Sequence, residues 1–321
     1  MNPKRTQRSF RVAALVLAAA MPGAVTAGDP VKPGSLQDFG NPEPARGWIS
    51  VGFQAVHTRG SLDGSGGDSL FLRTLETDSR SLTLSVDYRI NQRWSLNASL
   101  PYIRKRAVND RGFHNPARLA VPRPDSQFLD DGDYHGTWQD WQLGVTYHAG
   151  FAGFDVRPHA VLTYPSRDYT FFASAAAGQR LKRVRLGFDA SRRLGLSNFH
   201  YSAGYSYEFV ERVLGNNLDK QHLRLSGRYD ISPQLSANVF AVGRRGQGLD
   251  PAIFLGQSQL GSELWYQHDR LLPHNYGLAG LGVTWRFNDV WSISGSTSRM
   301  VWGDSIHAIK YAHELQFTRA F

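Results

Sequence analysis

The sequence has no cysteine among its 321 residues. This absence excludes a disulfide scaffold, a cysteine nucleophile, thiolate metal ligands and the acylated cysteine of a lipoprotein. The chain also lacks the repeated apolar runs of about 20 residues that membrane-spanning helices require. With a mean hydropathy of −0.38, the average residue is polar. A membrane protein built from helices is therefore excluded.

Acidic residues are fewer than basic residues, 27 against 36, and the formal net charge is +9. Such an excess can indicate a nucleic-acid partner. Four of the positive charges lie in residues 1–27, which have the basic start, the apolar core at 12–21 and the small residues before Gly28 of a secretory signal peptide. We predict that this peptide is cleaved, with an uncleaved anchor or a surface helix as the alternatives. The mature chain then carries +5, and no nucleic-acid partner is expected.

After residue 45 the chain alternates between apolar and polar residues, which is the pattern of β-strands. In residues 81–90, leucine, valine, tyrosine and isoleucine occupy the even positions, and serine, threonine, aspartate and arginine occupy the odd ones. Residues 199–209 alternate in the same way. The pattern predicts twelve strands, at residues 46–57, 78–90, 94–106, 137–148, 153–164, 180–191, 199–211, 220–230, 234–245, 274–287, 290–301 and 310–321.

The connections and the two strand faces favour a transmembrane barrel over a soluble β-sandwich, which also alternates. Short connections alternate with longer ones along most of the chain, as in outer-membrane barrels with periplasmic turns and extracellular loops. The polar face is rich in glycine, serine, threonine and asparagine, as a hydrated interior would be. Aromatic residues near strand ends match interfacial girdles. They are Trp48, Trp94, Tyr102, Tyr147, Tyr164, Trp285, Trp291 and Tyr311.

We therefore predict an all-β protein in which residues 46–321 form an antiparallel up-and-down β-barrel of about twelve strands in the bacterial outer membrane. Leu315, Phe317 and Phe321 resemble the C-terminal signature of such barrels, so the barrel assembly machinery is an expected partner; Arg319 interrupts the alternation. Residues 28–45, rich in proline and glycine, would form a periplasmic N-terminal segment. This segment is either a disordered leader or a piece that folds into the lumen.

Face parity directs a balanced set of charges toward the lumen. The set is Asp87, Arg89, Asp155, Arg157, His159, Arg185, Asp189, Glu208, Arg224, Arg228 and Glu314. Apart from the histidine, five residues are acidic and five are basic, which argues against strong charge selection. Two interpretations stay open: a constriction that filters solutes, or simple packing of a closed barrel.

Other basic residues gather at the predicted extracellular strand ends. They are Arg104, Lys105, Arg106, Arg180, Lys182, Arg183, Arg244 and Arg245. Cations at this level can pair with the phosphates of outer-leaflet lipopolysaccharide, so outer-membrane lipid and lipopolysaccharide are expected partners. The alternative is that they are ordinary solvated loop bases.

Two further patterns contain residue types that can bind a metal ion or catalyse hydrolysis. Asp130, Asp131 and Asp133 surround a glycine in the longest predicted loop, but they lack the spacing of a calcium loop, so no metal site is expected. His200 and Ser202 form a His-x-Ser pair on a strand, the arrangement of outer-membrane lipid hydrolases, in which histidine activates serine. Face parity turns both toward the lumen at the periplasmic end, so the hydrolase is a minor alternative. No other catalytic motif and no cofactor motif is present.

Two segments resemble a known family. Residues 88–102, which run from Tyr-Arg-Ile-Asn-Gln-Arg-Trp to Leu-Pro-Tyr, and residues 140–147, Asp-Trp-Gln-Leu-Gly-Val-Thr-Tyr, are similar to the outer-membrane barrels named for the meta-pathway of phenol degradation. Gln139 stands where that family usually has glycine before the aspartate. The resemblance implies a channel-like protein for small compounds, often aromatic or hydrophobic, and it carries over no catalytic residue.

The sequence thus predicts a passive outer-membrane channel, or a barrel that binds a small-molecule solute, without enzymatic chemistry. The hydrolase that uses His200 and Ser202 is the first alternative. A structural or adhesive barrel that acts through loops 107–136 and 246–273 is the second.

Overall fold

The computed structural model describes residues 46–67, 74–108, 129–254 and 262–321. The predicted signal peptide and the proline-rich segment 28–45 lie outside the described residues. The strands are β1 Gly47–Ser61, β2 Glu76–Arg89, β3 Trp94–Val108, β4 His135–Trp138, β5 Trp141–Tyr147, β6 Ala149–Phe151, β7 Phe154–Tyr164, β8 Arg183–Arg193, β9 Phe199–Val210, β10 Lys220–Asp230, β11 Leu235–Gly246, β12 Asn275–Arg286, β13 Trp291–Asp304 and β14 His307–Ala320.

These strands form one closed antiparallel sheet. Each wall strand pairs with its neighbours in sequence, and β1 pairs with both β2 and β14, which closes the ring. Strands β4, β5 and β6 are successive pieces of a single wall strand between β3 and β7. The prediction of an antiparallel barrel of twelve strands is confirmed.

The outer surface is apolar because the sequence alternates. In β2, Leu82, Leu84 and Val86 are exposed by 41–45%, whereas the intervening residues Thr83 and Ser85 are more buried. The same alternation runs through β1, β8, β12 and β14. Exposed leucine, valine and phenylalanine side chains on a closed barrel form the band that contacts lipid, and the polar face turns inward. No helix in the described ranges is long and apolar enough to cross a membrane.

The two ends of the barrel differ. One end carries short turns at residues 90–93, 194–198, 231–234 and 287–290. The other end carries the longer connections, among them residues 165–182 and 247–274. A 3₁₀ helix, Pro251–Phe254, and two short helices, α1 Glu263–Tyr266 and α2 His268–Leu271, lie in the last of these. We refer to the end with the longer connections as the loop end and to the end with the short turns as the turn end. In outer-membrane barrels the loop end faces the cell exterior.

Aromatic pairs lie on the outer surface near both ends. Trp94 packs against Tyr147 with ring centroids 4.8 Å apart at the turn end, and Trp141 stacks on Tyr164 at 5.5 Å toward the loop end. Trp48 departs from the predicted girdle. It lies on the inward face of β1, where the guanidinium of Arg89 sits 5.7 Å from its ring.

One wall strand is interrupted where the sequence predicted a continuous strand at 137–148. Four residues of β3, from Tyr102 to Ser99, lie opposite five residues on the partner, from Trp138 to Gln142. This is a β-bulge, and it lies beside Pro101, which has no N–H to contribute to the ladder. The bulge lets two successive side chains, Gln139 and Asp140, point inward, each less than 4% exposed.

A second boundary also differs from the prediction. The strand predicted at 180–191 begins at Arg183. The preceding residues belong to a connection that folds back into the barrel.

Candidate functional site at the loop end of the barrel

Residues 165–182 connect β7 to β8, and residues 169–181 of this connection fold into the barrel at the loop end. We call residues 169–181 the inward segment. Phe171 and Phe172 are 3% and 4% exposed, and the four alanines at 173 and 175–177 are also buried. Phe172 packs against Tyr266 of α1, with ring centroids 5.1 Å apart. An apolar run buried inside the wall narrows the interior at this end.

The connection between β11 and β12 holds the inward segment from the other side. Arg270 of α2 places its guanidinium 4.2 Å from the ring centroid of Phe171. The same guanidinium donates hydrogen bonds to the carbonyls of Gln179, at 2.9 Å, and Arg180, at 2.7 Å. In its described part, the loop proposed for adhesion is therefore packed into the mouth of the barrel.

A polar network joins the inward segment to the wall at the β-bulge. The Tyr169 hydroxyl donates to Oδ1 of Asp140 at 2.5 Å, and Arg183 of β8 donates to Oδ2 at 3.0 Å. Gln139 donates to the carbonyl of Ala177 at 2.6 Å. Burial, and then the neighbouring Asp140 carboxylate, raise the pKa of Tyr169, so the phenol stays protonated. The bulge therefore supplies two side chains that anchor the inward segment to the wall.

A cavity of about 120 Å³ lies between the inward segment and the wall; we call it the mouth cavity. Its charged lining consists of Lys105, Asp140, Arg183, Arg244 and Asp269. Its apolar lining includes Val56, Phe171, Ala173, Ala176, Ile306 and Ile309. A cavity with an apolar wall and a few convergent polar groups is the usual form of a small-molecule site.

His274 also lines the mouth cavity, just before β12. Burial, and then the cations Arg244 and Lys220, lower its pKa to about 3. The imidazole is therefore neutral at pH 7 and adds no charge to the cavity.

The eleven residues predicted to face the lumen lie on the less exposed face of their strands, outside the mouth cavity. Several form ion pairs across neighbouring strands. Arg185 contacts Glu208 at 2.7 Å, and His159 Nδ1 lies 3.6 Å from Asp189. The others are Asp87, Arg89, Asp155, Arg157, Arg224, Arg228 and Glu314. This ladder lines the interior wall.

The basic residues predicted to contact lipopolysaccharide divide into two groups, apart from Arg180, which lies in the inward segment and donates to the carbonyl of Tyr169. Arg104, Arg106, Lys182 and Arg245 lie on the outer face. Lys105, Arg183 and Arg244 lie on the inner face and are 8%, 8% and 1% exposed. A lipid phosphate outside the barrel does not reach these three side chains, so for them the assignment is corrected: they line the mouth cavity.

The candidate hydrolase pair and the aspartates of the candidate calcium loop make other contacts. The Ser202 hydroxyl is hydrogen-bonded to Ser226 at 3.2 Å, and His200 Nε2 lies 3.0 Å from Asp230, so the nucleophile–base contact of a hydrolase is not formed. Asp130 accepts backbone hydrogen bonds from residues 174 and 175 of the inward segment, at 3.0 and 2.8 Å. In the described ranges, no group of three potential ligands is placed to hold a metal ion.

At the C-terminus, Leu315 and Phe317 of β14 point outward and are 42% and 45% exposed. Phe321 follows the strand and exchanges two backbone hydrogen bonds with Gly47, at 2.9 and 3.0 Å. The terminal residue thus takes part in the seam between the first and last strands.

Solved structures of outer-membrane barrels resemble this fold. An outer membrane channel from Pseudomonas putida F1 matches with a TM-score of 0.67 at 14% sequence identity, over 91% of this chain and all of that one. The chain therefore has the fold of an outer-membrane barrel. CymD, a monoaromatic hydrocarbon channel, matches with a TM-score of 0.44 at 12% identity over 87% of this chain and 89% of its own. The NanC porin matches with a TM-score of 0.47 at 9% identity over 85% and 100%. No protein-family model and no curated protein matches the sequence.

Proposed function

We propose that the protein is a passive outer-membrane channel for small solutes, hydrophobic and aromatic ones included, and that it reaches the membrane through a cleaved signal peptide. The observation that carries the proposal is the mouth cavity. Inside a closed barrel with a polar inner face, the inward segment leaves a space of about 120 Å³ at the loop end. A space of this size suits small molecules, and a barrel of twelve strands is narrower than a general porin of sixteen or more.

We also infer membership of the family named for the meta-pathway of phenol degradation, on the two segments that resemble it. Residues 88–102 form the hairpin between β2 and β3, and Asn91 Oδ1 accepts the backbone N–H groups of Arg93 and Trp94 at its turn. Asp140, the first residue of the second segment, is the carboxylate that holds Tyr169 and Arg183. Both segments thus have definite roles in shaping the barrel and its mouth.

Conductance tests the proposed channel. The purified mature protein is inserted into planar lipid bilayers beside a variant in which residues 168–178 are replaced by a short Gly-Ser linker. We expect small unitary currents from the parent and currents several times larger from the variant, because the replacement removes Phe171 and Phe172 from the mouth. Liposome swelling with small neutral solutes supplies a second measurement.

A matched control shortens the turn at residues 194–198, which lies at the other end and should leave the conductance unchanged. The absence of current and of swelling for both folded proteins would contradict a channel function.

A further inference from the structure

We infer that the mouth cavity binds a small organic anion, with a carboxylate beside Lys105 and Arg244 and an aromatic or apolar body against Phe171. The inference deepens the proposed channel function, since it names the class of solute that the channel would select. It rests on two buried cations, on the charge balance of the lining and on the size and shape of the space.

Lys105 is the first of the two cations. It is 8% exposed, and its ammonium makes one long hydrogen bond, 3.4 Å to the carbonyl of Ala176. Within the described part of the chain, Lys105 forms no ion pair with a carboxylate; Asp130 and Asp269 act on it from farther away. An ammonium carries three donors, and an uncompensated buried charge is costly. An anion in the cavity would supply the missing partner.

Arg244 is the second cation and is 1% exposed. Its Nε donates to the carbonyl of His274 at 3.0 Å, and its guanidinium stacks over Tyr276 at 4.7 Å. Among the described residues, these are its contacts, and neither is with a carboxylate. The two terminal nitrogens of the guanidinium remain as a planar fork of donors, the geometry that suits a carboxylate.

The charge balance of the lining favours an anion over a cation. Three cations and two carboxylates line the mouth cavity, and His274 is neutral. Asp140 is already held by Arg183 and Tyr169, and Asp269 lies 3.3 Å from His268. Three cations and two carboxylates leave a net charge of +1, which lies with Lys105 and Arg244 because Asp140 is paired with Arg183 and Asp269 acts on Lys105 only from a distance.

The remaining lining explains why the anion should carry a ring or an apolar body. Phe171, Ile306 and Ile309 face the same space. A buried apolar cavity of about 150 Å³ accommodates benzene. The mouth cavity, at about 120 Å³, is smaller but is open on one side, so a single ring would fill it while the rest of the molecule extends through the opening.

Benzoate is the probe, benzamide the uncharged analogue with the same ring, and acetate the anion without a ring. Binding to the full mature protein in lipid nanodiscs is measured by calorimetry. We expect benzoate to bind at least tenfold more tightly than benzamide or acetate. Lys105→Met and Arg244→Met should each weaken benzoate binding by tenfold or more, while the weak affinity for benzamide stays the same.

Lys182→Met is the matched control, because Lys182 lies at the same level of the barrel on the outer face. It should leave benzoate binding unchanged. Since methionine removes a buried charge without leaving a large void, the Lys105→Met barrel should resist denaturation at least as well as the parent. Equal affinity for benzoate and benzamide, or full benzoate binding by folded Lys105→Met protein, would overturn the inference.

The outcomes separate this inference from the proposed function. Conductance and swelling with neutral solutes, combined with no preference for benzoate, would reject the anion site and leave the channel. Tight benzoate binding by a barrel that conducts nothing would reject the channel and leave the binding site.

Discussion

Asp140 shows how much a single side chain can determine. The β-bulge points its carboxylate inward, where it accepts one hydrogen bond from the inward segment and one from the wall. The sequence marked this residue only as part of a family resemblance. Its role as an anchor depends on a bulge and on a partner 43 positions away, and neither appears in local alternation.

Replacement of Asp140 should destabilise the loop end. Asp140→Ala removes the nearer of two carboxylates beside the buried Arg183, since Glu208 lies 3.8 Å from it, and breaking a buried pair costs about 3–5 kcal/mol. We expect the free energy of unfolding, measured in urea, to fall by an amount near the lower limit of this range. Proteolysis within residues 165–182 should also become faster. Asp131→Ala is the control: it removes a surface pair with His135, so about 0–1 kcal/mol is expected. Equal decreases in the free energy of unfolding of the two variants would show that the Asp140 network stabilises the barrel no more than a surface ion pair does.

At the scale of one strand, β3 serves two environments at once. Arg104 and Arg106 lie outside, whereas Lys105 between them lines the mouth cavity. The outer pair joins Arg80 around the ring of Tyr134, with guanidinium carbons 4.8 to 5.6 Å from its centroid. Three cations held together at the loop end form a compact basic patch, and we propose that this patch binds the phosphates of lipopolysaccharide.

Removal of two arginines from the basic patch should weaken its binding of lipopolysaccharide. The double variant Arg104→Gln/Arg106→Gln should bind lipopolysaccharide several-fold more weakly than the parent, because bidentate phosphate contacts are lost. Added lipopolysaccharide should also raise the melting temperature of the double variant by less than it raises that of the parent. Arg93→Gln, an exposed arginine at the turn end, is the control and should behave like the parent. Undiminished binding by the double variant would leave these arginines as solvated loop bases.

The strands themselves were predictable from the sequence, whereas the inward segment was not. Alternation fixes the faces of β2, β9 and β14 because each residue there meets either lipid or the interior. The connection at 165–182 has no such period, and its course depends on packing against α1 and α2. A signal was present in the run Phe-Phe-Ala-Ser-Ala-Ala-Ala at 171–177, which is too apolar for a solvated loop.

At the scale of the whole molecule, closure of the ring decides stability. Within lipid, an unpaired strand edge has no hydrogen-bond partner, so β1 and β14 must meet. Their pairing extends from Trp48 opposite Ala320 to Ser61 opposite His307, and its register shifts after His57, toward the loop end. The number of strands and this closure were predicted from alternation and connection lengths. The inward segment is held at the loop end by contacts between loops that are distant in sequence. Alternation and connection length carry no information about such contacts.

The terminal residue should matter for assembly. Deletion of Phe321 removes two backbone hydrogen bonds to Gly47 and the aromatic end of the predicted assembly signal. We expect the amount of folded barrel in the outer-membrane fraction to fall several-fold, as measured by heat-modifiable migration in gels. Phe287→Ala, which changes an exposed phenylalanine at the same end, is the control and should assemble normally. Normal assembly of the truncated chain would exclude a role for this residue in recognition by the assembly machinery.

The alternating placement of Arg104, Lys105 and Arg106 also restricts how the gene can change. One codon inserted earlier in β3 would turn Lys105 toward lipid and bury two arginines, so single-residue insertions in this strand should be eliminated by selection. Insertions of two residues would preserve the faces, and changes of any length would be tolerated more readily in the loops. Divergence among copies of this chain should therefore show length changes in even steps within β3, and the spacing of its basic residues should persist after most of their neighbours have changed.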